Sequence, residues 1–216
     1  MRRPERVQSL GEEIANSVTH GVASLAFAAA IPFLVVAALP GGAASVVGSV
    51  VFGASLVLLY SSSTLYHSLA RNRAKRVFRV IDHSAIYVLI AGTYTPFTLG
   101  VLRGVWGWTL FGVVWALAAT GIALKASLGF RFPKASLAVY LAMGWLIVVA
   151  IKPLLTHLPL AGLAWLAAGG LCYTGGTAIY GWGRPRYQHT IWHLFVLAGS
   201  VCHWIAVAGY ATPRLA

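Results

Sequence analysis

Histidine side chains occur where the chain is otherwise apolar, and their spacing is typical of metal binding. Of the seven histidines, only His157 lies plainly in a loop, and ionisable groups inside apolar segments are costly enough to be functional candidates. His189 and His193 are four residues apart, so on a helix they share one face about 6 Å from each other. Two imidazoles at this spacing form half of a zinc site, and His67 would supply a third nitrogen. Three protein ligands with an open fourth position describe a catalytic Zn²⁺ site, where water takes the fourth position.

Two further polar residues are candidates for catalysis beside such a metal. Asp82 is the only aspartate in the chain, and its carboxylate would hold the water molecule as a general base. Ser63 lies one helical turn before His67 on the same face, within reach to orient a ligand or a developing oxyanion. The sequence thus predicts catalytic roles for Asp82 and Ser63 beside the three histidines.

Each of these features also has a simpler explanation. The H-x3-H pair alone is explained equally well by helix capping or by hydrogen bonds between helices. Asp82 is three residues from Arg79 and would pair with it on one helix face. The basic run over residues 71–79 is typical of an anchor at anionic lipid head groups. Three histidines and the only aspartate at one membrane depth together favour the metal site.

The composition indicates the elements that position these residues. Hydrophobic residues make up 59% of the 216, and only 9% are charged, whereas a soluble domain has about a quarter of its residues charged. The mean hydropathy of +0.78 therefore predicts an integral membrane protein in contact with membrane lipids. A net charge of +12 often indicates nucleic-acid binding, but that requires a solvated basic face, so we expect no nucleic-acid partner.

Seven membrane spans are predicted, because each crossing needs about 20 mostly apolar residues. They cover residues 17–39, 43–69, 80–102, 105–124, 136–151, 160–182 and 189–211. The fold class is thus an all-α seven-helix transmembrane bundle. It is predicted as one domain at 17–211, with a cytoplasmic segment at 1–16 and a tail at 212–216.

The basic residues predict the orientation of this bundle. Thirteen of the 16 fall on the side of the amino terminus, and three, Arg103, Lys152 and Arg214, fall on the opposite side. Since short loops rich in Lys and Arg stay in the cytoplasm, the amino terminus is predicted inside and the carboxyl terminus outside. This topology brings His20, His67, Asp82, His83, His189 and His193 to the cytoplasmic leaflet.

The ordered motifs resemble those of the hemolysin III family, the bacterial branch of the progestin and adipoQ receptor (PAQR) family, whose superfamily includes alkaline ceramidases. S-x3-H stands at residues 63–67, the aspartate at Asp82 and H-x3-H at 189–193, and the resemblance extends from about residue 11 to 210. The strings A-G-T-Y-T-P-F at 91–97 and W-H-L-F-V at 192–196 resemble the bacterial branch in particular. The resemblance implies seven helices, a cytoplasmic amino terminus and a zinc ion held by His67, His189 and His193, with Asp82 and Ser63 beside the bound water.

Three functions remain open at this point. The leading prediction is a zinc-dependent hydrolase of a lipid amide or ester in the bacterial plasma (inner) membrane, with the substrate reaching the site sideways between helices. The second is a sensor or regulator of membrane state in which zinc is structural. The third is the cytolytic activity in the family name, although the spans have few of the polar residues that line pores.

Overall fold

The computed structural model describes residues 7–182 and 185–213, and every regular element in these ranges is helical. The helices are α1 (Leu10–Ala38), α2 (Gly42–Ser68), α3 (Arg73–Leu99), α4 (Val105–Leu128), α5 (Pro133–Trp145), α6 (Ile151–His157), α7 (Leu160–Trp182) and α8 (Gln188–Tyr210). Short 3-10 turns connect α1 to α2 at Leu39–Gly41 and α5 to α6 at Leu146–Ala150. The predicted all-helical class is confirmed for the described residues.

Helix α1 begins well before the first predicted span. A capping box starts it at Leu10: the Ser9 amide donates to Glu12 Oε2 at 2.8 Å, and the Glu12 amide donates to Ser9 Oγ at 3.4 Å. Reciprocal bonds of this kind satisfy amide groups that a helix leaves without partners at its amino end. As a result, Glu12, Glu13 and Asn16 belong to a regular helix rather than to a separate leading segment.

The first two helices form one long apolar stretch that folds back on itself. Leu10–Ser68 is a continuous apolar segment of 59 residues. As a single helix it would extend roughly 90 Å, about three times the thickness of the bilayer core. The 3-10 turn at Leu39–Gly41 interrupts it, and α1 and α2 pack along each other.

Four segments are long and apolar enough to cross a membrane: Leu10–Ser68, Val105–Leu128, Pro133–His157 and Gln188–Tyr210. Helices α3 and α7 have 27 and 23 residues but no apolar stretch as long: α3 carries several charged residues in its first half, and α7 contains several Gly, Thr and Tyr residues. These findings describe a multi-pass membrane protein. The count of seven crossings and the orientation stay predictions, and Arg2, Arg3, Arg6, Arg184 and Arg214 of the orientation count lie outside the described residues.

The fifth predicted span, at 136–151, is a broken helix in the structure. α5 ends at Trp145, a 3-10 turn follows, and α6 continues to His157. The Tyr94 hydroxyl of α3 lies at the break, where it donates to the Met143 carbonyl at 2.8 Å and accepts from the Ile147 amide at 2.7 Å. These bonds satisfy backbone groups that the interruption would otherwise leave unpaired in an apolar environment.

The helices close into a bundle in which α1 packs against both α2 and α8. Sequence neighbours pack together, from α1 on α2 to α7 on α8, and α5 contacts α3, α4 and α7. α1 also packs against α8, so the first and last helices meet. The end of α2 and the starts of α1, α3 and α8 therefore lie at the same end of the bundle.

Candidate metal centre

Three histidines from two helices converge at this end of the bundle. His67 lies in the last turn of α2, while His189 and His193 lie in the first two turns of α8. One ligand nitrogen from each lies within 4.8 Å of the others. His67 and His193 are buried, with 3% and 2% of their surfaces exposed. The predicted histidines are thus brought together in a group that could hold a metal ion.

The nitrogen atoms of this histidine cluster fit a metal better than a hydrogen-bonded arrangement. His67 Nε2 and His193 Nδ1 are buried and have no hydrogen-bond partner among the described residues. Leaving such atoms unpaired is costly, and a cation that accepts their lone pairs removes that cost. In tetrahedral zinc coordination the nitrogens lie about 3.3 Å apart, so side-chain shifts of about 1 Å bring the three into place.

Glu13 holds the ring of His67 and was missed in the sequence. Its Oε2 lies 2.7 Å from His67 Nδ1, and its Oε1 pairs with Lys75 Nζ at 2.9 Å. A carboxylate on one imidazole nitrogen fixes the tautomer and directs the other nitrogen toward a metal. The signal that could have revealed Glu13 is the capping box, since a helix starting at Leu10 places Glu13 and His20 on one face.

The first turns of α1 also determine where α8 begins. Glu12 Oε1 accepts from the Tyr187 amide at 2.9 Å, where Tyr187 adopts the left-handed conformation just before α8. Asn16 Oδ1 accepts from the Thr190 hydroxyl at 2.6 Å. A carboxylate near the amino end of a helix is favoured by the helix dipole. The first three turns of α1 thus contact either a cluster histidine or the start of α8, through Glu12, Glu13, Asn16 and His20.

His20 contacts the cluster without completing it. Its ring stacks on that of His193 at 3.5 Å between centroids and 11° between planes, and both of its nitrogens lack hydrogen-bond partners. Two parallel stacked rings direct their lone pairs side by side, so they do not converge on one ion. His203 is also separate from the cluster, since its Nε2 lies 3.2 Å from the Leu166 carbonyl.

Asp82 and Ser63 lie together beside the histidines. Asp82 is 9% exposed and Ser63 is 1% exposed, and both lie on the wall of one cavity. Asp82 Oδ2 lies 3.5 Å from His83 Nδ1, which is 2.9 Å from the Arg79 carbonyl. The structure brings the two predicted catalytic residues to one cavity, while their catalytic roles stay predictions.

A cavity of about 80 Å³ opens beside the cluster, with Ser63, Asp82, His189 and His193 on its wall. Because one water needs about 10–15 Å³ of such space, more than one water molecule fits. Leu59, Ile86 and Tyr140 belong both to this wall and to a neighbouring apolar cavity of about 110 Å³. That second cavity continues past Trp145 and His203 into a third one. A row of adjoining apolar cavities thus leads away from the histidine cluster.

Comparison with known proteins agrees with these features. Residues 8–204 match the family described as Haemolysin-III related. The Hemolysin-3 homolog of Bacillus subtilis (strain 168) is 48% identical over 203 residues, covering 94% of this chain and 95% of that protein. Hemolysin-3 of Bacillus cereus is 47% identical over 207 residues, covering 95% and 94%. The human Monocyte to macrophage differentiation factor is 28% identical over 170 residues, covering 74% and 68%.

Proposed function

The chain belongs to the Haemolysin-III related family, and from this premise we propose that it is a zinc-dependent membrane hydrolase of a lipid amide or ester. The observation that carries the proposal is the juxtaposition of a three-histidine cluster, a buried carboxylate and a row of apolar cavities. We place the protein in the bacterial plasma (inner) membrane with seven crossings and a cytoplasmic amino terminus.

The residues of the site divide the chemistry between them. His67, His189 and His193 would hold the metal, with Glu13 fixing the tautomer of His67. A bound zinc ion polarises a carbonyl group and makes a water molecule reactive near neutral pH. Asp82 accepts the proton of the attacking water and returns it to the leaving amine or alcohol. Ser63 lies on the same cavity wall as Asp82, where its hydroxyl would orient the substrate or a developing oxyanion.

The apolar cavities support a lipid as the substrate. The cavity next to the cluster is lined by Leu59, Ile86 and Val196, and most of the wall of the second cavity is also apolar. Burying an acyl chain there is favourable by about 0.8 kcal/mol per methylene. The carbonyl at the head of the chain would then lie beside the histidines and Asp82.

Zinc content and lipid turnover of the purified protein test this proposal together. We expect about one zinc per chain in the wild type and loss of both zinc and turnover in His193→Ala, measured by elemental analysis and with fluorescent amide and ester lipids. His157→Ala is the matched control, because His157 is exposed at the end of α6 and is not one of the cluster residues. Purified wild type without zinc, or His193→Ala with full turnover, would contradict the proposal.

A second candidate function is favoured by the distribution of the ligands over the helices. His67 belongs to α2 and the other two histidines to α8, so one ion would tie these helices together. This is what a structural zinc in a sensor of membrane state would do. Chelation would lower the melting temperature under both functions, whereas the sensor predicts no turnover of any amide or ester lipid by zinc-loaded protein.

A further inference from the structure

Two basic side chains lie on the wall of the cavity beside the histidine cluster, which His189 and His193 also line. Arg79 comes from α3 and Lys125 from the last turn of α4. The Arg79 guanidinium carbon is 4.0 Å and Lys125 Nζ is 4.9 Å from the centroid of the same ring, that of Phe130. Lys125 Nζ also donates to Ser136 Oγ at 2.9 Å. Both cationic groups therefore lie close to one point of the cavity wall.

The burial of Lys125 distinguishes it from the basic residues that anchor membrane proteins. An anchoring lysine extends its ammonium group into water or among lipid head groups. Lys125 is only 3% exposed, and its ammonium group lies inside the bundle against Ser136 and Phe130. Lys134, at the same end of the bundle, is exposed and shows the usual behaviour.

Among the described residues, no carboxylate forms an ion pair with Lys125. The whole sequence has only four acids, and Glu5 lies outside the described ranges. Glu12 bonds to the Tyr187 amide, and Glu13 bonds to His67 and Lys75. Asp82, the acid on the cavity wall, lies 3.5 Å from His83 Nδ1 and three residues after Arg79 on α3. Two cations thus share a buried cavity with one carboxylate, and a buried charge of this kind requires a counter-ion.

We propose that Arg79 and Lys125 form a subsite for the phosphate group of a lipid. This inference rests on the proposed function and narrows its substrate class to acyl lipids that carry a phosphate near the acyl linkage. In such lipids the phosphate is a few bonds from the acyl carbonyl, so one molecule reaches both the subsite and the histidine cluster. Arginine and lysine are the residues that commonly bind phosphate, and the Ser136 hydroxyl, which donates to the Phe132 carbonyl, holds the Lys125 ammonium group in place.

A pair of matched lipids tests the subsite without relying on turnover. Dioleoyl phosphatidic acid and dioleoylglycerol have the same chains and differ in the phosphate. Titrated into purified zinc-loaded protein in a non-ionic, phosphate-free detergent, phosphatidic acid is expected to bind at least about tenfold more tightly, as one charge-assisted hydrogen bond provides. Equal affinity of the wild type for the two lipids overturns the subsite.

Substitutions of Lys125 test whether the preference for phosphatidic acid over dioleoylglycerol arises in this cavity. Lys125→Gln should lose most of the phosphatidic acid preference, Lys125→Arg should keep it, and Lys134→Gln should bind like wild type. Lys125→Gln with an unchanged preference overturns the assignment. Binding of inorganic phosphate at millimolar concentration tests whether the subsite takes a free anion instead of a lipid. If inorganic phosphate binds as tightly as phosphatidic acid, the acyl chains add no affinity and the proposal of a lipid ligand is overturned.

The outcome for the subsite is separable from that for the proposed function. A Lys125→Gln protein that keeps its zinc but loses the preference supports the subsite. Loss of the subsite with normal zinc content and turnover leaves the hydrolase standing. Phosphatidic acid binding that depends on Lys125, in a protein that cleaves no amide or ester, supports the subsite while removing the hydrolase.

Discussion

At the residue scale, the two nitrogens of His67 have different surroundings. Nδ1 lies 2.7 Å from Glu13, whereas Nε2 is buried without a hydrogen-bond partner. Lys75 in turn pairs with the other oxygen of Glu13. The ring is therefore held in one orientation before any metal arrives, which reduces the entropy lost when the metal binds.

Removing the charge of Glu13 should weaken metal binding. Glu13→Gln is expected to lower zinc affinity by about 10–100-fold, the usual cost of losing such an outer partner of a ligating histidine. Competition with a fluorescent zinc chelator measures this. Glu12→Gln is the matched control, since Glu12 bonds to backbone amides rather than to His67. Equal zinc affinity of Glu13→Gln and wild type would show that Glu13 has no part in the site.

Substituting Asp82 should separate chemistry from metal binding. Asp82→Asn is expected to keep its zinc, because Asp82 is not one of the three cluster residues, and to lose about 10²–10⁴-fold in kcat, the contribution typical of a general base. Elemental analysis and lipid turnover on the same sample measure the two effects. A variant with normal turnover would rule out the base assignment.

The histidine cluster and the nearby Ser63 and Asp82 could be predicted from spacing and topology, but the contacts made by Glu13 and His20 could not. His189 and His193 share one helix face wherever the helix begins, so their proximity follows from the sequence alone. Glu13 seemed to precede the first span, and its role appeared only once α1 was found to begin at Leu10. The stacking of His20 on His193 depends on how α1 is rotated against α8, which no spacing within one segment reveals.

At the element scale, close packing of α2 on α3 supports the site from the other end of the bundle. A Cβ atom on Gly48 would lie 2.7 Å from the Cα of Pro96, so only glycine allows this approach. Small residues at such contacts are the usual basis of helix packing in membranes. The pair positions α2, which carries Ser63 and His67, against α3, which carries Asp82.

Alanine at position 48 should therefore loosen the bundle. Gly48→Ala is expected to cost about 1–3 kcal/mol of stability, since the backbone of Pro96 cannot yield as a side chain would. The melting temperature of the purified protein in detergent reports the change. Gly112→Ala is the control, because no atom lies within 4 Å of a Cβ at that position. A Gly48→Ala melting temperature equal to that of wild type would contradict the tight contact.

The helices themselves were well predicted where the chain is uniformly apolar. The predicted 160–182 segment has the bounds of α7, and the 189–211 segment differs from α8 by one residue at each end. The break between α5 and α6 was not predicted, because it depends on the Tyr94 hydroxyl reaching the backbone from another helix. The residues of the segment itself therefore give no sign of that contact.

At the scale of the whole molecule, the topology determines which membrane face holds the site. Arg79 and Lys125 meet at Phe130, so basic residues from two predicted cytoplasmic loops do lie at one end of the bundle. The histidine cluster lies at that same end, because His189 and His193 line one cavity with Arg79 and Lys125. We therefore expect part of the excess of positive charge to determine the orientation of the bundle and part of it to line the site.

Cysteine labelling should reveal the orientation directly. In a chain with Cys172→Ala and Cys202→Ala, a single His157→Cys is expected to react with a membrane-impermeant maleimide in intact cells. Lys134→Cys, at the other end of the Pro133–His157 segment, is expected to react only after permeabilisation. His157 and Lys134 are both exposed, so burial does not limit the access of the maleimide to either position. The reverse pattern would place the histidine cluster on the outer face.

The distribution of the ligands between α2 and α8 has a consequence for biosynthesis. A ribosome making about 5–20 residues per second completes His193 on the order of ten seconds after His67. During that interval α1 and α2 would already be in the bilayer, with Glu13 and His67 made but His189 and His193 still missing. Under the proposed function, the ion would be captured only after the last helix has been inserted, so its incorporation would report that translation and insertion are complete. A chain that stalls before α8 would remain without metal and would differ from the finished protein in a way that cellular quality control can recognise.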